Sequence, residues 1–170
     1  SITHPIGFPD QRAMRQEVVA TVAELGRTHV YGGLGFGTFG KIPRSCYRGF
    51  RTYRELPGIY QAAKININQH NSPRSHGYLN QRDTAITGSG GFMLTDYVDG
   101  IEEIFAVGTE IDTWASLDEL RDKASWWLRH DDKRQAAGVA AQRRILQSYG
   151  NDSYAQRLLE FVHDEGGATS

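Results

Sequence analysis

The chain has 170 residues, 39% of them hydrophobic and 23% charged, with a formal net charge of −1. That length supports one domain with a real core, and the near-neutral balance weighs against a surface built to bind polyanions. Cys46 is the only cysteine, which excludes an intramolecular disulfide and a cysteine-based zinc site and favours a cytoplasmic setting. No apolar run reaches membrane-spanning length.

Ser1 opens almost directly onto patterned sequence, without an initiating Met or a signal-like start, as expected of a piece cut from a longer chain. Residues 2–8 read as a short first strand broken by Pro5 and Gly7. Asp10 is a plausible N-cap for a helix carrying Met14, Val18, Val19, Val22 and Leu25 at helical spacing, with Gly26 as its stop. Residues 27–31 alternate like a strand. The glycine-rich run 32–40 matches neither a P-loop nor a dinucleotide fingerprint that opens a helix. Residues 46–48 read as a short strand, 53–63 as a short helix interrupted at Pro57, and 64–68 as a strand with Ile65 and Ile67 alternating.

The loop 69–77 follows that strand and offers His70, Arg74 and His76. In open α/β sheets ligands sit beyond the carboxyl ends of strands, so the loop is well placed. The stretch 76–96 is the centre of the chain. A helix opens near Leu79 or Asn80, stops at the glycines of 88–91, and leads into a buried strand over 92–95. A loop entering a helix presents unpaired N–H groups and the positive end of the helix dipole, which suits phosphate. Arg82, in the first turn, adds a guanidinium. The same pattern also describes an ordinary helix–glycine–strand unit.

A short helix follows within 97–105, then a strand at 110–114. Ser116 and Glu119 form a capping box for a helix with Leu120, Ala124, Trp127 and Leu128 on one face. Adjacent Trp126 and Trp127 cannot both face one core. A further helix spans 131–149, Asp152 caps a last one, and 166–170 reads as a disordered tail. Alternating strands and helices argue for an α/β domain over 1–165, a Rossmann-like, mostly parallel sheet flanked by helices, ending in C-terminal helices.

The residues Tyr47-Arg48-Gly49, then Tyr53-Arg54-Glu55-Leu56 and Ile59-Tyr60, resemble the "Y-x-G … E-L … I-Y" segment of CgeB-like glycosyltransferases of the GT-B fold. Ala63–Asn68 resembles their "A-K-I-x-L-N" strand. Asn80-Gln81-Arg82 and Gly90–Asp96 are similar to "N-x-R-x-x-E … G-G-F-x-L-T-D", and Ile104-Phe105 with Gly108–Ile111 to "L-F-x-x-G-x-E-I". The similarity runs from about Arg12 to Val162, and the order and spacing of the motifs carry it.

The resemblance implies the C-terminal, donor-binding lobe of a glycosyltransferase, transferring sugar from a nucleoside-diphosphate donor to an unknown acceptor. It implies a partner in an N-terminal lobe or another chain, no metal, no cofactor beyond the nucleotide-sugar substrate, and no nucleic acid. Arg12, Arg74, His76, Gly77, Asn80 and Arg82 fall at the positions of diphosphate contacts, and Tyr47, Arg48 and Ala85 at those of base and ribose. Two acidic positions of such enzymes are occupied here by Ala85 and Gly77. The donor is then held differently, or the domain is a non-catalytic binding module with the same fold. A stand-alone hydrolase or flavodoxin-like enzyme finds no nucleophile elbow and no Walker motif.

Overall fold

The computed structural model describes residues 9–32, 42–71 and 76–149. Helix α1 (Pro9–Ala23) comes first, α2 (Leu56–Ala62) precedes strand β1 (Asn66–Asn68), and α3 (Gln81–Gly88) precedes β2 (Met93–Asp96). Strand β3 (Asp112–Trp114) then leads to α4 (Leu117–Arg129) and α5 (Asp131–Tyr149). The strands form a parallel sheet in the order β1-β2-β3, with Ile67 opposite Leu94 and Thr95 opposite Thr113. This is the Rossmann-like α/β architecture expected from the alternation of elements.

β2 is buried at every position, as a central parallel strand covered on both faces must be. Its side chains alternate between two cores. Phe92 and Leu94 join Val18, Trp114, Leu120, Ala124 and Trp127 on the face covered by α1 and α4. Met93 joins Tyr60, Ile86, Phe105, Ile111 and Ile145 on the face covered by α2, α3 and α5. The glycines before β2 permit close approach. A Cβ on Gly91 would stand 2.7 Å from Asn66 Nδ2 and 2.8 Å from the Tyr60 carbonyl oxygen.

Four local expectations are corrected. The strand expected at 27–31 and its counterpart at 46–48 reduce to one bridge, Val30 with Tyr47. Three backbone bonds hold it, Val30 N to Cys46 O, Arg48 N to Val30 O and Gly32 N to Gly49 O. The ladder ends where Gly49 takes a left-handed φ of +76° and turns the chain away. Pro57 does not interrupt a helix: it sits in the opening turn of α2, where its missing N–H costs nothing. The Ser116 hydroxyl accepts from Glu119 N at 3.2 Å, but Glu119 accepts from Ala115 N rather than from the cap residue. The first strand at 2–8, most of the glycine-rich run, Arg74, the last helix and the tail lie outside the described residues.

Candidate anion site at the strand ends

Each parallel strand delivers its last residue to the same end of the sheet, and α3 starts there. Asn68, the last residue of β1, donates from Nδ2 to Asp83 Oδ1 at 2.6 Å and accepts from Arg82 Nε at 2.9 Å. The side chain thus ties the strand end to two residues of the first turn of α3. Asn80 is the N-cap. Its Oδ1 accepts from Arg82 N at 2.8 Å, and its own N–H donates to Asp83 Oδ2 at 2.7 Å, completing a reciprocal capping box. Arg82 Nη2 also donates to the Gln69 carbonyl at 2.9 Å. Its guanidinium is held by two acceptors, the last residue of β1 and the residue after it, so its plane is set before any ligand arrives.

Arg15, one helical turn beyond Arg12 on α1, is buried at the same end and donates from Nη2 to Asn71 Oδ1. Burial lowers its pKa most, and the positive charge of Arg82 lowers it further, while Asp96 and Tyr78 act in the opposite direction. An arginine stays charged through such shifts. Two guanidinium groups near enough to repel one another therefore stand beside a helix N-terminus, an arrangement that an anion relieves.

The third component is an acid–imidazole–acid cluster. His70 Nδ1 lies 2.6 Å from Asp96 Oδ1, and Nε2 lies 2.9 Å from Asp83 Oδ2. The His70 N–H also donates to the Asp96 carboxylate, at 2.9 Å to Oδ1. The ring is buried and packs edge-on with Tyr78, ring centroids 5.9 Å apart. Burial alone would lower the imidazole pKa, but the hydrogen bonds and charges of Asp83 and Asp96 outweigh it and push the value up to about 9.

Of the residues singled out from the sequence, His70, Asn80 and Arg82 fall in this site. His76 and Gly77 lie on the neighbouring surface. His76 pairs with Asp99 at 3.0 Å and Glu103 at 3.5 Å, and its pKa is raised, chiefly by the Asp99 hydrogen bond. Gly77 takes φ +66° and donates to the Asp99 carbonyl. Tyr47 and Arg48 belong to the Val30 bridge: Tyr47 donates to the Gly32 carbonyl at 2.8 Å, and Arg48 Nη2 lies 3.4 Å from His29 Nε2. Ala85 packs against the apolar cluster of Tyr60, Ile86 and Met93. The side chain of Arg12 and all of Arg74 lie outside the described residues. Asp83 does not replace the absent acidic residues, because its buried carboxylate is engaged by Asn68, His70 and Asn80.

Arg15 and Asp83 were given no site role from the sequence, and Asn68 and Asp96 entered only as the closing residues of the motif segments 63–68 and 90–96. The legible signals were those segments and the i, i+3 relation of Arg15 to Arg12. Among the described residues no group of three or more His, Cys, Asp or Glu is arranged to hold a metal ion, and no helix is long and apolar enough to cross a membrane.

Residues 12–160 match the family described as glycosyl transferase-like. No curated protein matches the chain. A crystal structure of Anabaena Alr3699/HepE in complex with UDP and glucose superposes with a TM-score of 0.67 at 13% identity, covering 95% of this chain and 47% of the other. A second, in complex with UDP, gives 0.69 at 13% identity, covering 95% and 48%. The chain spans about half the length of these structures, and the likeness establishes a shared fold.

Proposed function

The chain belongs to the glycosyl transferase-like family, and we propose that it is the donor-binding lobe of a glycosyltransferase, holding the diphosphate of a nucleotide sugar at the N-terminus of α3. The observation that carries this reading is the anchoring of Arg82 by Asn68 and the Gln69 carbonyl beside a fully capped helix start. Breaking the bond between sugar and diphosphate leaves negative charge on the departing phosphate. Preset dipoles and cations aimed at that charge stabilise it more in the transition state than in the ground state. Arg82 and Arg15 supply this without a metal, whereas the first-turn N–H groups of Arg82 and Asp83, expected from the sequence to be unpaired, are already taken by Asn80.

UDP is the first ligand to test, because it is the nucleotide named in both HepE complexes. The order of motifs from Tyr47 to Ile111 supports the CgeB-like branch of the family. The reading assigns the acceptor site to a partner lobe or chain, and the free Cys46 suits a cytoplasmic location.

The test is ligand-observed NMR and calorimetry with UDP, GDP, ADP, TDP and CDP. One diphosphate should bind selectively, and Arg82→Ala should weaken it about tenfold or more, the effect of one charge-assisted hydrogen bond. A melting scan of the variant shows whether the fold has survived. Unchanged affinity in a folded Arg82→Ala would remove this residue from the site.

A second reading, a non-catalytic module, is favoured by one observation. Ala85 faces an apolar cluster and Asp83 is fully engaged, so neither offers a carboxylate to a ribose. Absence of binding across the panel, together with a stable complex with another protein, would support it.

A further inference from the structure

Both nitrogens of the His70 ring face carboxylate oxygens, from Asp96 at the end of β2 and Asp83 in the first turn of α3. A neutral imidazole has one N–H and can satisfy only one of them. The other neighbours of both carboxylates are donors. Asp83 already accepts from Asn68 Nδ2 and the Asn80 N–H, and Asp96 from the His70 N–H. The geometry therefore suits an imidazolium, which donates from both nitrogens, between the two carboxylates across a buried gap between strand and helix.

We propose that His70 is a positioning residue for the anion site: it clamps Asp83 and Asp96 together, fixes the start of α3 with Arg82 against the strand ends, and keeps both carboxylates from repelling a bound diphosphate. The inference rests on the donor-binding reading for its effect on affinity, but not for the clamp itself. The charged groups that face the ring are Asp83 from α3 and Asp96 from β2, with Tyr78 stacked edge-on; beyond them Arg82 of α3 feels both carboxylates and Arg15 of α1 feels Asp96. With the imidazolium, three cations, His70 and Arg15 buried and Arg82 half-buried, stand against two carboxylates, leaving an excess of positive charge for an anion. Without its proton the charges cancel. Asp83 then loses one of the partners that hold it beneath the Asn80 N–H. The raised imidazole pKa, about 9, agrees with the geometry and puts the loss above neutral pH.

The test compares UDP affinity of the wild type with that of His70→Asn across pH. Taking the ratio cancels the titration of UDP itself. The ratio should be about tenfold at neutral pH, the scale of a lost charge-assisted contact, and should close toward one as the wild-type ring loses its proton near pH 9. A ratio that stays constant with pH would overturn the proposal, because a purely structural loss does not follow the proton.

Side-chain nitrogen NMR of the wild type gives a second measurement without any variant, should His70→Asn fail to fold. Both ring nitrogens should carry protons at neutral pH, and the Asn80 and Arg82 amides should shift with the ring as it titrates. A neutral ring, or amides indifferent to it, would overturn the clamp. If the wild type binds no nucleotide while ring and amides titrate together, the donor reading falls and the clamp stands.

Discussion

In the proposed donor site Arg82 is assigned to contact and His70 to support. Arg82 is oriented by two acceptors of the β1 exit, whereas His70 is enclosed and acts only through Asp83 and Asp96. The raised pKa of His70 makes a signed prediction for stability. Its pKa rises from 6.5 to about 9 on folding. The stabilisation is therefore fully present below about pH 6.5 and is lost as pH climbs through about 9. A shift of that size corresponds to a contribution on the order of 3 kcal/mol. Urea unfolding at neutral pH and at about pH 10 should show the wild type losing most of this relative to His70→Asn, whose stability should lack the His70 step. Equal losses in the two proteins would mean that the ring is not the titrating group.

At the scale of elements, the unit from α3 to β2 was the most legible. Asn80 as cap, the arginine of the first turn, the glycine stop and the apolar strand are all encoded within a few residues of one another. Capping and period-two burial are local physics, and the structure reproduces them with boundaries shifted by a residue. The glycines carry a further consequence. A Cβ at Gly91 would meet the Asn66 amide and, more seriously, the Tyr60 backbone oxygen at 2.8 Å. That atom cannot swing away as a side chain could. Gly91→Ala should destabilise the fold by about 1–3 kcal/mol, the usual cost of overpacking, read as a lowered urea midpoint. The segments 27–31 and 46–48 were less legible, since alternation alone cannot say how many partners a strand will find. Here pairing lasts for three bonds before Gly49 redirects the chain.

For the whole molecule, the sheet is narrow and its two apolar clusters do most of the joining. Trp127 is central to one of them. It packs on Phe92 with ring centroids 4.3 Å apart and donates from Nε1 to Asp112 Oδ2 at 2.7 Å, linking α4 to β3. Its neighbour Trp126 is half-buried, packs against the margin of the same cluster and stacks on His130 at 3.9 Å, so both tryptophans meet one core, Trp127 within it and Trp126 at its edge, against the expectation that adjacent residues could not. Trp127→Phe retains much of the apolar area but removes a donor from a buried carboxylate. A loss of about 1–3 kcal/mol is expected, with an unchanged denaturant slope because the same surface is exposed on unfolding. A changed slope would point instead to a loosened native state.

The amino-acid sequence by itself determined what short-range rules govern: the helices α1 to α5 and the three sheet strands, the α/β class, the cap and arginine at α3, and the motif series that resembles glycosyltransferases. Tertiary structure decided which charged groups meet. His70 finds Asp83 at a separation of 13 residues and Asp96 at 26, and Arg15 of α1 is brought beside Arg82 by the folding of α1 onto the sheet. No periodicity records such encounters. They arise because parallel strands bring their carboxyl ends to one edge of the sheet, and because a buried carboxylate must find its donors wherever the packing places them.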